Sequence, residues 1–404
     1  MQPGNKVQHL KKLIWYKDIF ILAFTCIGGP GTHMAIFIKR LVEQKKYLTQ
    51  KDFLEIYSFC QILPGPTSTQ IVTAIGYRLG GPVRAFLSLL IWVLPASVIM
   101  TLLAIFYTQY RSAGLSRDFL KYLQPMAVGF ILVAALKIFR IIKGKRLNVY
   151  LFFGAAILAA AQVLGPYAFP LILVLGAVIA LRYNKSHTPY VKPEIKIRWR
   201  NLTYFFAVFV VAVAAGAIVK LSEGFEGARP ILVFENSYRF GSLVFGGGNV
   251  LIPMMYEQFV KFRHYLTPDE FITGVGFVQA IPGPVFSLSS YTGAMIMKDW
   301  GIHWQILGGL IGMVAIFLPG ALFIMFLYPI WNSFKSHPLV TRAFEGISAA
   351  SAGLILAAAY LLFQGVGYEW ENIAVVVATT LLLMYTKIPS PVVVVLTLAA
   401  GFII

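Results

Sequence analysis

Apolar runs close to twenty residues recur from one end of this sequence to the other, at 147–164, 202–219, 306–327 and, more briefly, 373–385. About twenty apolar residues in a helix are what crosses the hydrocarbon of a bilayer. Charged residues make up only 12% of the chain, about half the share usual in a soluble domain. The runs are continuous rather than alternating, which excludes a β-barrel. The fold class expected is an all-α polytopic membrane protein. Its helices are also interrupted. FCQILPGP (59–66) and FVQAIPGP (277–284) each place a Gln and then Pro-Gly-Pro inside apolar sequence, and IGGPGTH (27–33) and FGGGNV (245–250) break two further runs.

These breaks belong to a repeat. At a shift of 218 residues, twelve of the 39 positions from 28 to 66 are identical without a gap, where chance gives about two or three. Gly28-Gly29 falls on Gly246-Gly247, Tyr47-Leu48-Thr49 on Tyr265-Leu266-Thr267, and Pro64-Gly65-Pro66 on Pro282-Gly283-Pro284. Six residues are then inserted, and at a shift of 224 Leu94-Pro95 matches Leu318-Pro319 and 129–139 matches 353–363. The chain therefore reads as two copies of one unit, 15–184 and 230–404, joined by 185–229, a basic loop plus a connecting helix near 202–221.

Each copy reads as six apolar elements: 18–38, 52–77, 83–108, 119–142, 147–163 and 167–183, then 231–256, 270–297, 304–330, 341–363, 371–386 and 389–404. Six elements and a connector make seven, an odd number, so the second copy is expected to lie inverted in the bilayer. Loop charge agrees. Lys137, Arg140, Lys143, Lys145 and Arg146 follow the fourth element of the first copy, whereas Glu369 and Glu371 follow its counterpart. The uncharged turn 165–168 corresponds to a turn holding Lys387, and basic 182–200 is answered across the connector by Glu223, Glu226 and Glu235. By the positive-inside rule these pairs point opposite ways, with the N-terminus cytoplasmic. The loop 39–51, with Lys39, Arg40, Lys45, Lys46 and Lys51, fits that topology only if the first two elements are re-entrant; full spans and re-entrant hairpins both remain open. Inverted repeats are the build of secondary transporters.

Proline inside a helix removes a backbone hydrogen bond and clashes with the preceding turn. In hydrocarbon each unpaired backbone group costs several kcal/mol, so such breaks persist where protein or trapped water satisfies them. A half-helix starting inside the membrane presents free N–H groups and a positive dipole end, which suit an anion. Four breaks meeting near the midplane would form an oxyanion site. Its expected residues are Gly28, Gly29, Pro30 and His33; Gln61, Pro64, Gly65, Pro66, Thr67 and Ser68; Gly246, Gly247, Gly248 and Asn249; and Gln279, Pro282, Gly283, Pro284, Ser287 and Tyr291. Lys39, Arg40, Arg78 and Arg84 either draw anions to the cytoplasmic mouth or mark topology. Glu345 reads as the dipole partner of a helix start, with an ion pair or proton relay as the other readings.

The net charge of +18 reads first as positive-inside bias and second as a sign of an anionic substrate. Cys26 and Cys60 lie beside two breaks and read as packing residues; the sequence holds no metal-ligand cluster and no phosphate-cradling P-loop. An intramembrane enzyme would need paired carboxylates or metal ligands within the apolar segments, and these are wanting, so no catalytic residue, cofactor or metal is expected.

The strings FTCIGGPGTHMAIF, LVEQKKYLT and CQILPGPTSTQ, then FGGGNVLIPMM, YLTPDEF and QAIPGP, together resemble the two halves of the chromate transporter family in its long, two-domain form. The first copy departs from the family pattern in having Ile27 where a Phe precedes Gly-Gly. The resemblance implies a multi-pass carrier of the bacterial inner membrane that exports chromate, a tetrahedral dianion shaped like sulfate. A transporter or channel for sulfate or another anion is the alternative. Expected partners are the lipid bilayer, the oxyanion and, as an assembly, a homodimer; nucleic acid is not among them.

Overall fold

The structure is a computed structural model and describes residues 3–27, 30–112, 121–161, 168–183, 200–221, 228–245, 248–331, 338–386 and 388–403. Gly28, Gly29, Gly246, Gly247, Glu223, Glu226, Lys387 and most of 182–200 lie outside the described residues. Within them the chain is all helical. The first half contains α1 (Pro3–Thr25), α2 (Pro30–Phe37) running into a π-helical turn (Ile38–Gln44), α3 (Gln50–Ile62), α4 (Thr67–Ser112), α5 (Leu123–Ile142), α6 (Arg146–Ala160) and α7 (Ala168–Tyr183). The connector is α8 (Arg200–Leu221). The second half contains α9 (Ala228–Leu243), α10 (Gly248–Tyr256) with its π-helical turn (Glu257–Phe262), α11 (Pro268–Ala280), a 3-10 turn (Val285–Ser287) leading into α12 (Leu288–Ile296), α13 (Ile302–Leu327), α14 (Pro338–Val366), α15 (Trp370–Tyr385) and α16 (Ser390–Ile403).

By length and composition Thr67–Arg111, Leu123–Arg140, Ile302–Leu327 and Arg342–Val366 can cross a bilayer, and five shorter apolar helices accompany them. α4 is two helices end to end. Gly80 and Gly81 depart from helical geometry, and Gly81 takes φ 73°, which favours glycine. The Arg84 guanidinium donates to the Leu79 carbonyl at 2.7 Å and so satisfies the end of the first helix. The boundary expected between 77 and 83 is this break.

The elements expected at 18–38 and 231–256 are not single helices; the chain breaks within each and folds back. Asp18 on α1 accepts from Arg40 at 2.7 Å and from the Tyr47 hydroxyl at 2.6 Å, and Trp15 packs edge-on against Tyr47. Residues beyond α2 therefore lie beside the middle of α1, so the chain folds back between α1 and α2. Next, Asp52 at the start of α3 pairs with Arg78 near the end of the first part of α4, at 3.0 Å, so the break at 63–66 is a second tip. The legs are short. Pro30–Gln44 and Gln50–Ile62 hold fifteen and thirteen residues, roughly 22 and 20 Å of helix, less than the ~30 Å of hydrocarbon. The re-entrant alternative left open by the sequence is the one this geometry favours.

The second half repeats several details of the construction. Thr49 with Asp52 and Thr267 with Glu270 form capping boxes of the same backbone geometry. Lys46 and His264, 218 residues apart, both take φ 52° after a π-helical turn. Glu270 at the base of α11 pairs with Lys298 beyond α12, and with Arg111 at 2.6 Å. Asp18 and Glu270 are both almost fully buried. Each receives several charged or hydroxyl donors, which is what makes a buried carboxylate tolerable.

The halves interlock. α14 packs on α5, α6 and α7, α15 on α5, and α12 and α13 on α4, while α8 lies on α9 and α13. Lys121 before α5 pairs with Glu371 at the start of α15, at 2.7 Å, and Lys145 after α5 pairs with Glu345, at 2.8 Å. The start of α5 thus lies near the end of α14 and its end near the start of α14, so these sequence counterparts run antiparallel. Glu345 sits two turns inside α14 rather than at its start, and the ion-pair reading replaces the dipole reading.

The Thr49 hydrogen bond and the Arg78 guanidinium hold the Asp52 carboxyl below the ordinary carboxylate range. The stability this contributes is present above the unfolded pKa and is lost as pH falls through the lower folded value. Asp52→Ala should therefore destabilise the detergent-solubilised protein at neutral pH by about 1 kcal/mol. In thermal melts, its difference from the unsubstituted protein should close as the pH drops below the carboxylate range.

Candidate functional site

The four tips meet. The Gly65 N–H donates to the Val244 carbonyl at 2.7 Å, and the Gly283 N–H donates to the Cys26 carbonyl at 2.9 Å. These bonds are counterparts, because a shift of 218 carries 65 to 283 and 26 to 244. Each Pro-Gly-Pro tip of one half is thus tied to the end of the helix that precedes the glycine-rich tip of the other. Gly65 and Gly283 take φ 113° and 109°, the left-handed region that an L side chain resists. Space also demands glycine, since a Cβ on Gly283 would stand 2.7 Å from the Ala96 Cβ.

The Leu-Pro pairs in the later helices find their role here. Ala96 follows Pro95 in α4 and backs the Gly283 tip. Gly320 follows Pro319 in α13 and lies beside Pro66 and Gln70. The Gln70 side chain donates to the Pro64 carbonyl at 2.6 Å and satisfies the first tip from within.

Four helix starts surround the space between the tips. His33 comes from the first turn of α2, Thr67 and Ser68 from the start of α4, Gly248 from the start of α10, and Val285 and Phe286 from the 3-10 turn into α12; with Pro66 and Pro284 they line a cavity of about 10 Å³. That is room for about one water molecule. The unsatisfied N–H groups and dipole ends of four helices are thereby aimed at one small region. Of twelve buried side-chain polar atoms without a hydrogen-bond partner among the described residues, six lie on the helices that start at or back the tips: both ring nitrogens of His33, Gln70 Oε1, and the hydroxyls of Ser97, Ser287 and Ser290. Unpaired buried polar atoms carry a desolvation penalty that a polar ligand would relieve.

Other expected site residues lie elsewhere. Gln61 is exposed, and its amide donates to the Tyr57 hydroxyl at 2.6 Å on its own helix; Gln279 is half-buried. Neither lines the cavity. Tyr291 is fully buried and donates to the Glu270 carbonyl at 2.9 Å, bracing α12 against α11. Pro30 and Asn249 belong to the first turns of α2 and α10, and Gly65, Pro64, Pro282 and Gly283 form the tips themselves. Of the bases expected at the mouth, Arg40 is bound to Asp18, Arg78 to Asp52 and Arg84 to Leu79, while Lys39 is exposed. A larger cavity, about 720 Å³, opens at the base of the second half, where Arg229, Lys261, His264 and Lys298 stand with Glu270 and Asp299. Sequence reading missed Gln70 and Ser97 because neither lies in a repeated motif; Leu288 stands where the repeat would place the counterpart of Gln70. Among the described residues no three His, Cys, Asp or Glu side chains come close enough to hold a metal ion.

A bundle of apolar helices, with interrupted segments brought together in its interior, is the build of a helical membrane protein. The chain belongs to the chromate transporter family, whose model matches residues 14–181 and 231–403. It is similar to an uncharacterized transporter of Methanocaldococcus jannaschii, 22% identical over 100% of this chain and 96% of the relative. It is also similar to the chromate transport proteins of Cupriavidus metallidurans (24% identical, 95% of this chain and 90% of the relative) and Pseudomonas aeruginosa (26%, 93% and 87%). No solved structure matches the chain.

Replacing Gln70 by Leu should abolish anion transport and lower stability, because it strips the Pro64 carbonyl of its donor at the tip. Gln61→Leu should leave transport within about twofold of the unsubstituted level, since surface changes are near neutral. Paired flux assays on equal amounts of inserted protein would check both.

Proposed function

We propose that this chain is a secondary transporter that exports chromate, or a tetrahedral oxyanion of the same shape, across the bacterial inner membrane. The site is the junction of the four tips, and the two halves form inverted repeats around it. The observation that carries this reading is the reciprocal pair of hydrogen bonds, Gly65 to Val244 and Gly283 to Cys26. They bring four helix N-termini to one place without a charged side chain on the cavity wall among the described residues. Antiparallel α5 and α14, together with tips that approach one another from opposite bases, support the inversion. The family and the printed names of the relatives support the substrate. Exposed Lys39, Lys45 and Lys51 near the base of the first hairpins support a cytoplasmic placement of that end.

The cavity is too small for a tetrahedral oxyanion, so the arrangement corresponds to a closed carrier. Loading requires the tips to part. Mirror-related hairpins offer two ways of parting, one toward each side, which is the requirement of alternating access. A dianion leaving a negative interior is driven by about 4.6 kcal/mol at 100 mV, twice the ~2.3 kcal/mol for one charge.

Everted vesicles containing the protein should accumulate labelled chromate with saturation, faster under an interior-positive potential, and more slowly when sulfate competes. Flux that rises without saturation would point to a channel. Absence of chromate uptake alongside uptake of sulfate would move the substrate while leaving the site in place.

A further inference from the structure

The tip cavity surrounds its expected guest with neutral groups. Besides His33, its described walls are Pro66, Thr67, Ser68, Gly248, Pro284, Val285 and Phe286. The groups facing His33 from neighbouring elements are likewise uncharged. Trp92 of α4 lies edge-on at 5.7 Å between ring centroids, and its own N–H is engaged with Thr69. Phe37, on the same helix, lies at 6.3 Å. The nearest charges along its own element, Lys39 and Arg40, lie beyond Phe37; Lys39 is exposed and Arg40 is bound to Asp18. The thiol of Cys26 is free and buried. A dianion held here would meet dipoles and hydroxyls but no formal counter-charge, and buried charge without a partner is expensive.

His33 is 1% exposed, and neither ring nitrogen completes a hydrogen bond. The Cys26 carbonyl faces it without completing one. That carbonyl already accepts the Gly283 N–H and can only accept. An oxyanion in the cavity can only accept as well. A neutral imidazole has one donor and one acceptor, so one ring nitrogen would oppose an acceptor. An imidazolium has two donors, one for the carbonyl and one for the anion, and it supplies the missing charge.

We infer that binding of an oxyanion at the four-tip site takes up one proton from water, held on the His33 ring. The inference rests on the functional reading above and adds proton linkage to it. The loaded site then carries the anion's two negative charges and one positive charge, and the empty site is neutral. Anion and proton leave the site together when it opens to the far side, so one net negative charge crosses per chromate and the voltage drive is half that of a dianion moving alone. The second half has Leu251 at the position matching His33, so this proton site belongs to the first half alone.

Isothermal titration of the full-length protein in micelles tests the inference. Chromate is added above neutral pH, where it is a dianion, in buffers of differing ionisation enthalpy. The unsubstituted protein should absorb close to one proton per chromate bound, and its Kd should rise about tenfold per pH unit. His33→Gln keeps a hydrogen-bonding side chain that does not titrate; it should bind more weakly, with no proton uptake and a flat pH profile. If that variant is not monodisperse, His33→Asn takes its place. Chromate binding without proton uptake in the unsubstituted protein overturns the inference and leaves the transport reading intact. Undiminished uptake in the substituted protein also overturns it, placing the proton elsewhere. Failure of both chromate and sulfate to bind at any pH would remove the functional reading itself, and this inference with it.

Discussion

The structure depends on two backbone hydrogen bonds that cross between its halves, from Gly65 to Val244 and from Gly283 to Cys26. A helix that stops inside hydrocarbon leaves groups with no water to satisfy them. Neither half supplies the partner from its own chain; each takes it from the other half's preceding helix. This explains why the break is doubled and why Pro-Gly-Pro and the glycine-rich break occur together in both copies. It also explains Ala96 and Gly320, the small residues behind Pro95 and Pro319, which let the later helices approach the tips.

Charge is distributed to serve this arrangement. Carboxylates stand at the bases of the hairpins rather than at the tips: Asp18 with Arg40, Asp52 with Arg78, and Glu270 with Arg111 and Lys298. They fix where each hairpin folds back and leave the tips to neutral dipoles. On the function proposed above, a site built from helix ends and hydroxyls attracts anions without fixing one in place, since no lysine or arginine on the described cavity wall forms a permanent pair with it. Carriers need that balance, because a guest bound too firmly on one face is not released on the other.

Much of this was legible in the sequence. Apolar run lengths give the helical membrane class, and the shift of 218 residues gives the equivalence of the tips. The requirement that broken backbone be satisfied predicts that the breaks meet. Other features were not legible, for physical reasons. Periodicity cannot tell a span from a helix that stops and turns back, so 18–38 read as one element; the fold-back rests on contacts between Asp18, Arg40 and Tyr47, distant in sequence. Gln61 and Gln279 stand at matching positions, which suggested a shared task, yet one turn of helix directs Gln61 outward to Tyr57. Gln70 carries the tip contact, and no symmetry marks it. Arg78 and Arg84 have the composition of an anion funnel, but their partners, a carboxylate and a helix-end carbonyl, are set by tertiary structure.

The most direct measurement is an experimental structure with a heavy tetrahedral oxyanion, such as selenate or tungstate, located by its anomalous signal. One guest should lie between the start of α4 at Thr67–Ser68 and the turn at Val285–Ser287, within hydrogen-bonding reach of His33, with the tips drawn apart to admit it. Density confined to the basic cavity around Arg229, Lys261 and Lys298, with the tips still closed and empty at saturating anion, would contradict the account.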